Sequence, residues 1–380
     1  MGVHREMDGD GREGALGAVY LLESFDFLAQ SRYGTNMDGV TKWAYDIFAA
    51  RQFRPINLRV IAVMVTAPVL AAILLLGITG VPAPHFFGIA AKMLGLSCFI
   101  SILIGCGYRL VSNIRGNVNE PIAHTIIWLV AAMLVAGMTI PTFGLFKQFI
   151  LPARDFPWDS QLAALDRFIF MGIDPWRLTH AWFGTFYGTI FFDRIYSIWL
   201  FLMFGFPPFI VVSFQNTAMR ARLIGCWLMG WLLIGGAAAW GLASAGPSYF
   251  EALVGPDKDF AELVVRLASI NQEAKAAGWT INALDFQPLL LASYKIGIFA
   301  PAGGISAMPS VHVAMAALFA IAGFQKARWI GLLFSAYTFL IWVGSIHLGW
   351  HYATDGVVGV MTMCALWWLS RFLAPTRSST

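Results

Sequence analysis

Eight apolar runs dominate this chain, at 60–80, 86–106, 122–146, 195–214, 223–243, 308–324, 329–347 and 352–373. Most are long enough to cross a hydrocarbon layer of about 30 Å as a helix. Inside lipid, backbone N–H and C=O groups must be satisfied within the segment, which leaves the helix as the structure for such runs. The expected fold class is all-α, a polytopic transmembrane helical bundle of about eight spans. Composition agrees: 12% of residues are charged, against ~25% in soluble domains. The 308–324 run is the shortest and is rich in alanine, which suits a helix whose end opens onto a wet cavity.

Charge placement sets the expected orientation. Arg51, Arg54 and Arg59 precede the first run, and Arg109 and Arg115 follow the second. Arg220 and Arg222, then Lys326 and Arg328, then Arg371 and Arg377 lie in later connections of the same parity. The turns at 81–85 and 349–351 carry no Lys or Arg. The positive-inside rule then places both termini in the cytoplasm, and segments 147–194, 245–307 and the His351 turn on the opposite side. The first ~55 residues lack the basic, apolar, small-residue pattern of a cleavable leader, so the first span is expected to stay as an anchor. Cys98, Cys106, Cys226 and Cys364 all lie in apolar runs, which argues for neither a disulfide framework nor a CxxC metal site. The net charge of +4 forms no polybasic tract, so nucleic acid is not an expected partner. The Ala- and Trp-rich spans point to a bacterial inner membrane. Between the spans, Phe260, Leu263, Val264, Leu267, Ile270 and Ala274 recur at helical spacing, predicting an amphipathic helix that lies on the membrane surface or covers a site. A weaker pattern from Leu16 to Leu28 predicts a second such helix on the cytoplasmic face.

Ionisable groups next to spans are costly and need a reason to be there. His312 stands in Pro309-Ser310-Val311-His312, and His351 and Asp355 are spaced i, i+4. That spacing puts the pair on one helix face, so the carboxylate can hold one imidazole nitrogen and leave the other free to react. The arrangement suits phosphoryl transfer. His351 attacks phosphorus with Asp355 orienting it, and His312 protonates the leaving oxygen and then serves as base for the acceptor. Ser310 and the free N–H groups of the helix starting near Pro309 hold phosphate oxygens. Lys147 and Arg154, just past the third run, offer fixed positive charge. Lys147 at the membrane edge can equally be a snorkelling lysine, and Arg154 a loop-positioning residue. His4, His85, His124 and His180 read as packing residues. A metal site built from His312, His347, His351 and Asp355 is the chemical competitor, but it leaves the Pro-Ser before His312 unexplained.

These motifs resemble the type-2 phosphatidic acid phosphatase superfamily, whose pattern is Lys-x6-Arg-Pro, Pro-Ser-x-His and Ser-Arg-x5-His-x3-Asp. The second block matches in full at 309–312, and His351-x3-Asp355 ends the third. Lys147 and Arg154 keep the first spacing, with Asp155 in place of proline, and Gly344-Ser345 stand where Ser-Arg belong. The resemblance implies a six-helix catalytic core, a phosphohistidine at His351, His312 as general acid, and no metal or other cofactor. The subgroup of inositol phosphorylceramide synthases and their bacterial relatives also lacks that arginine. It carries a segment similar to the one here running from Trp158-Asp159 through Leu162, Leu165 and Asp166 to Asp174-Pro175-Trp176. This finer resemblance implies an inositolphosphotransferase of sphingolipid metabolism, taking a phospholipid donor and a lipid or polyol acceptor. Hydropathy and charge set out a cytoplasmic segment (1–55), two N-terminal transmembrane helices (56–120) and a tail (374–380), around a membrane domain (121–373) that the resemblance makes catalytic. Asp159, Asp166 and Asp174 read first as residues holding an outer loop, and second as acceptors for a hydroxyl-rich headgroup.

The leading expectation is therefore an integral membrane headgroup transferase working on the extracytoplasmic face. A lipid phosphate phosphatase hydrolysing phosphatidic acid or isoprenoid phosphates uses the same residues with water as acceptor. A transporter or lipid-binding protein is the reading from another class. It predicts charges deep in several spans, whereas Lys92, Asp193 and Arg194 all fall near span ends.

Overall fold

The computed structural model describes residues 58–114, 122–214, 216–301 and 303–373. The expected helix at 16–28, segment 1–55 and tail 374–380 lie outside the described residues. Contacts divide the chain into two units, and the larger one, Ile56–Val118 with Thr125–Thr380, holds the bundle. Among the described residues the fold is an all-helical polytopic bundle with seven helices long and apolar enough to cross a membrane; the eighth expected run forms a shorter apolar helix, Val311–Lys326.

In chain order the helices are α1 (Leu58–Thr79), α2 (Ala83–Ile114), α3 (Ile122–Leu145), α4 (Asp159–Ile169), α5 (Pro175–Phe183), α6 (Phe186–Ser213) and α7 (Thr217–Met229). They continue with α8 (Phe250–Leu253), α9 (Lys258–Ala276), α10 (Asn282–Ile296), α11 (Val311–Lys326), α12 (Arg328–His347) and α13 (Ala353–Leu373). Two spans run on past their α-helical part. A π turn (Phe146–Ile150) and a 3-10 turn (Leu151–Arg154) extend α3, so Lys147 and Arg154 belong to the continuing helical run and do not lie beyond it. A longer π stretch, Gly230–Ala238, extends α7.

The shortest apolar helix, α11, is the centre. Val313 to Phe319 are all buried, against Met203, Phe204, Trp227, Ile234, Ile341 and Met363 from four neighbouring helices. Small residues let helices close in when no water drives them together. Ala314, Ala316, Ala317, Ala320 and Ala322 provide that surface on α11. At its far end a side chain on Gly323 would stand 2.9 Å from the Gly331 nitrogen, so the α11–α12 crossing requires glycine there. With its middle enclosed by other helices, α11 can be shorter than the spans that meet lipid along their length. By contrast, the α1 window is only 11% buried, with Val63, Leu70 and Leu74 facing outward, as expected of a peripheral lipid-facing span.

Segments 155–185, 242–310 and 348–352 meet at one end of the bundle. Asp159 bonds to the backbone at 245–246 and to Tyr352, while Ala307 N donates to the Ser244 carbonyl. The predicted amphipathic helix is α9. Asp257 caps it, accepting from Asp259 N (3.0 Å) and Phe260 N (3.3 Å). Phe260, Leu263, Leu267, Ile270 and Ala274 are buried against Leu162, Trp176, Ile346 and Tyr352. This helix therefore covers the end of the bundle, with its apolar stripe used up on protein. Val264, counted with the stripe from periodicity, is 40% exposed and stands outside it.

Candidate active site

The starts of α11 and α13 bring the two motifs together. Ser310 is the N-cap of α11, its hydroxyl accepting from Val313 N at 3.4 Å. Its own N–H donates to the Asp355 carbonyl at 3.0 Å, tying the first turn of one helix to that of the other. This approach is possible because residue 359 is glycine: a Cβ there would stand 2.6 Å from the Ser310 carbonyl oxygen.

His351 precedes α13, with its Nδ1 3.3 Å from Asp355 Oδ2. The carboxylate is fully buried and also accepts from Tyr352 N at 2.9 Å, through the same oxygen. Since a carboxylate accepts, Nδ1 carries the proton and Nε2 keeps its lone pair. Oδ1 of Asp355 is buried without a partner. The His312 ring centroid lies 6.2 Å from that of His351. His312 is held between Tyr196 (4.6 Å, 20°) and Trp199 (3.9 Å, 31°), two residues one turn apart on α6. Trp199 Nε1 donates to the His312 carbonyl at 3.0 Å, fixing ring and backbone from one side chain.

Ser310, His312, His351 and Asp355 thus share one site. Lys147 lies on the π turn that continues α3. The chain at Gly304 (φ +91°) passes close against the lysine, where a Cβ would stand 2.8 Å from Lys147 Cγ. Arg154 is exposed, with its guanidinium 5.7 Å from the Trp240 ring. Ser345, at the position of the missing arginine, is fully buried. Its hydroxyl donates to the Trp342 carbonyl (2.8 Å), and its own carbonyl accepts from Trp350 N (2.9 Å) and His351 N (3.3 Å).

The three outer aspartates brace this arrangement. Asp166 accepts from Ala353 N (2.5 Å) and Thr354 N (3.0 Å), so a carboxylate on α4 caps the first turn of α13. Asp159 accepts from Ala245 N (2.7 Å), Gly246 N (2.8 Å) and the Tyr352 hydroxyl (2.8 Å). Burial pushes both acids up to about 6, and the backbone N–H groups pull the other way. Asp174 pairs with Arg167 at 2.8 Å. His347 is turned away from His351: its ring stacks at 4.3 Å on His180, and its Nε2 meets Thr189 Oγ1 at 3.0 Å. The four-residue metal set is therefore not assembled. Among the described residues, no three His, Cys, Asp or Glu side chains gather as metal ligands. His180 is the packing residue expected, with Nε2 donating to the His347 carbonyl (2.8 Å) and Nδ1 accepting from Arg266 (2.9 Å). Burial lowers its pKa to about 4, keeping it neutral. Sequence reading missed the Tyr196–Trp199 clamp and the Tyr352–Asp159 bond; only the i, i+3 spacing of the clamp was there to find.

A family model described as the PAP2 superfamily matches residues 160–369, more than half of the chain. The protein belongs to the PAP2 superfamily. The matched stretch includes Ser310, His312, His351 and Asp355, and begins after Lys147 and Arg154. No curated protein and no solved structure matches the chain. Membership of the superfamily suggests phosphatase or phosphotransferase activity on lipid phosphates.

Proposed function

We propose that this PAP2 protein is a phospholipid headgroup transferase, of the inositolphosphate-transferring kind, working through a phosphohistidine at His351. The observation that carries this reading is the placement of His351, oriented by Asp355, 6.2 Å from a clamped His312. A phosphoryl group bonded to one imidazole, with an oxygen hydrogen-bonded to the other, needs a gap of roughly this scale. In the first step His351 Nε2 attacks phosphorus and the bond to the leaving oxygen breaks, His312 supplying the proton that oxygen takes. In the second, His312 removes the proton of the acceptor hydroxyl, the new P–O bond forms and the N–P bond breaks. Lys147 and the N-terminal N–H groups of α11 offset charge on the phosphoryl oxygens. Each step uses side chains and backbone of this chain, with no metal required. Positive-inside bias supports an extracytoplasmic site, in a bacterial inner membrane. Residues 121–373 are the proposed catalytic domain, with 56–120 as accessory spans.

Transfer is favoured over hydrolysis by Ser345. A phosphate-binding arginine is replaced there by a buried serine bonded within its own helix. The test is purified protein in liposomes with labelled phosphatidylinositol or phosphatidic acid, with and without ceramide or diacylglycerol, beside His351→Ala. Label on a second lipid, absent in the variant, is the expected result. Free phosphate as the product would replace transfer with hydrolysis, and activity surviving in His351→Ala would remove the nucleophile.

A further inference from the structure

The segment between α3 and α6 exposes large apolar side chains on a part of the chain that lies in no span. Helix α4 buries Asp159, Leu162, Ala163 and Asp166 on one face, while Leu165 and Phe168 occupy the opposite one. Phe168 is 82% exposed, Met171 in the following turn 92%, and Trp182 near the end of α5 84%. Exposed apolar surface of this kind marks an interaction face.

Three observations say what covers it. The spans on either side end at Arg154 and resume at Phe186, so both ends of the segment are anchored where helices leave the bilayer. The exposed apolar row continues down the next span through Tyr187, Phe191 and Ile198, which makes it continuous with the lipid-facing surface. Tryptophan near this boundary has the apolar body and polar tip that suit the headgroup level. Helix α9 is the counterexample at the same end of the bundle. Its apolar stripe is packed on protein, and it turns Glu273 and Lys275 outward, as a water-facing cap would, while Glu262 pairs with Arg177 of α5 at 2.6 Å.

We propose that α4–α5 is an interfacial element seated in the leaflet nearest the His351 end of the bundle, with Phe168, Met171 and Trp182 in the boundary between headgroups and acyl chains. The membrane-surface role that periodicity allowed for α9 belongs to this segment. Its opposite face holds the start of α13: Asp166 caps Ala353 and Thr354, and Asp159 holds Tyr352. One element therefore sets the depth of His351 relative to the plane of lipid headgroups. The inference does not depend on the chemistry proposed for the site.

The test uses Met171→Cys, Trp182→Cys and Phe168→Cys, with Glu273→Cys as the aqueous control. Each is made in full-length protein carrying alanine at Cys98, Cys106 and Cys364, while Cys226 stays buried. The thiols are labelled with an environment-sensitive fluorophore, and the protein is reconstituted into phosphatidylcholine vesicles. Labels at 168, 171 and 182 are expected to emit to the blue, to be quenched by a nitroxide carried on lipid, and to be protected from iodide present on both sides. The label at 273 is expected to show the reverse. Three reporter positions keep the outcome readable if one variant does not fold. Iodide quenching at 171 and 182 equal to that at 273 would overturn the proposal in favour of a water-facing loop. Blue-shifted labels protected from both quenchers would overturn it in favour of burial by a second protein copy.

Discussion

Asp355→Asn separates two roles that are usually lost together. Both hydrogen bonds to this carboxylate arrive at one oxygen, Oδ2, from His351 Nδ1 (3.3 Å) and Tyr352 N (2.9 Å). The other oxygen is buried without a partner. An asparagine can place its carbonyl at the Oδ2 position and its NH2 in the place of Oδ1, so the tautomer and orientation of His351 survive. What disappears is the negative charge beside an imidazole that becomes positively charged as it takes up phosphorus. Opposite charges ~4 Å apart interact by about 4 kcal/mol at an effective dielectric near 20. A hydrogen bond to a charged group is worth about 1.5–3 kcal/mol. These overlap, and a barrier rise of about 3–4 kcal/mol corresponds to a loss of about 10²–10³ in rate. Asp355→Ala removes orientation as well and should lose about tenfold more. The assay is turnover of a labelled lipid phosphate in liposomes, with acid-labile, base-stable labelled protein trapped after a single turnover. Asp355→Asn protein retaining more than about a tenth of wild-type turnover would refute the electrostatic argument. Equal losses in the asparagine and alanine variants would refute the orientation argument.

Removing the cap of α13 by Asp166→Ala leaves the Ala353 and Thr354 N–H groups buried without acceptors. That should cost about 2–5 kcal/mol in stability, read as earlier thermal unfolding in detergent. Asp159 and Asp166 both titrate near 6 in the fold, above the ordinary carboxyl value of 3.8. The folded state thus binds more protons than the unfolded one between about pH 4 and 6. Their contribution is fully present below about 4 and is lost as pH rises through 6, on the order of 2–3 kcal/mol each. Asp159→Asn should flatten its share of that slope in unfolding measured from about pH 4 to 7; an unchanged slope would contradict the assignment. Ser345→Arg restores the family's arginine in a fully buried position. It should reduce folded yield and should not create phosphatase activity, as measured by monodisperse protein and phosphate release. Trp199→Ala frees one face of His312 and removes its carbonyl bond, so single-turnover label transfer should slow by roughly 10–100-fold, while Trp199→Phe keeps most of the rate.

The apolar runs determined the helical class and seven of the eight expected spans, because hydrocarbon forbids unsatisfied backbone and any run of about 20 residues must answer that locally. The nearness of His351 to Asp355 was legible from their spacing, but not its cause: His351 stands in the turn before α13, so the pair does not share the helix face that i, i+4 spacing suggested. Span ends were not legible: α3 runs on to Arg154 through π and 3-10 turns, and periodicity carries no signal for a change in helical pitch. Tertiary structure alone decided that α11 lies at the centre, and that Asp166 caps a helix 187 residues further along the chain. It also decided that His347 turns toward His180 and Thr189, while His312 turns toward His351. The amphipathic stripe of α9 stated that a partner exists and left open which one. Lipid and a protein surface are equally apolar, and only packing tells them apart.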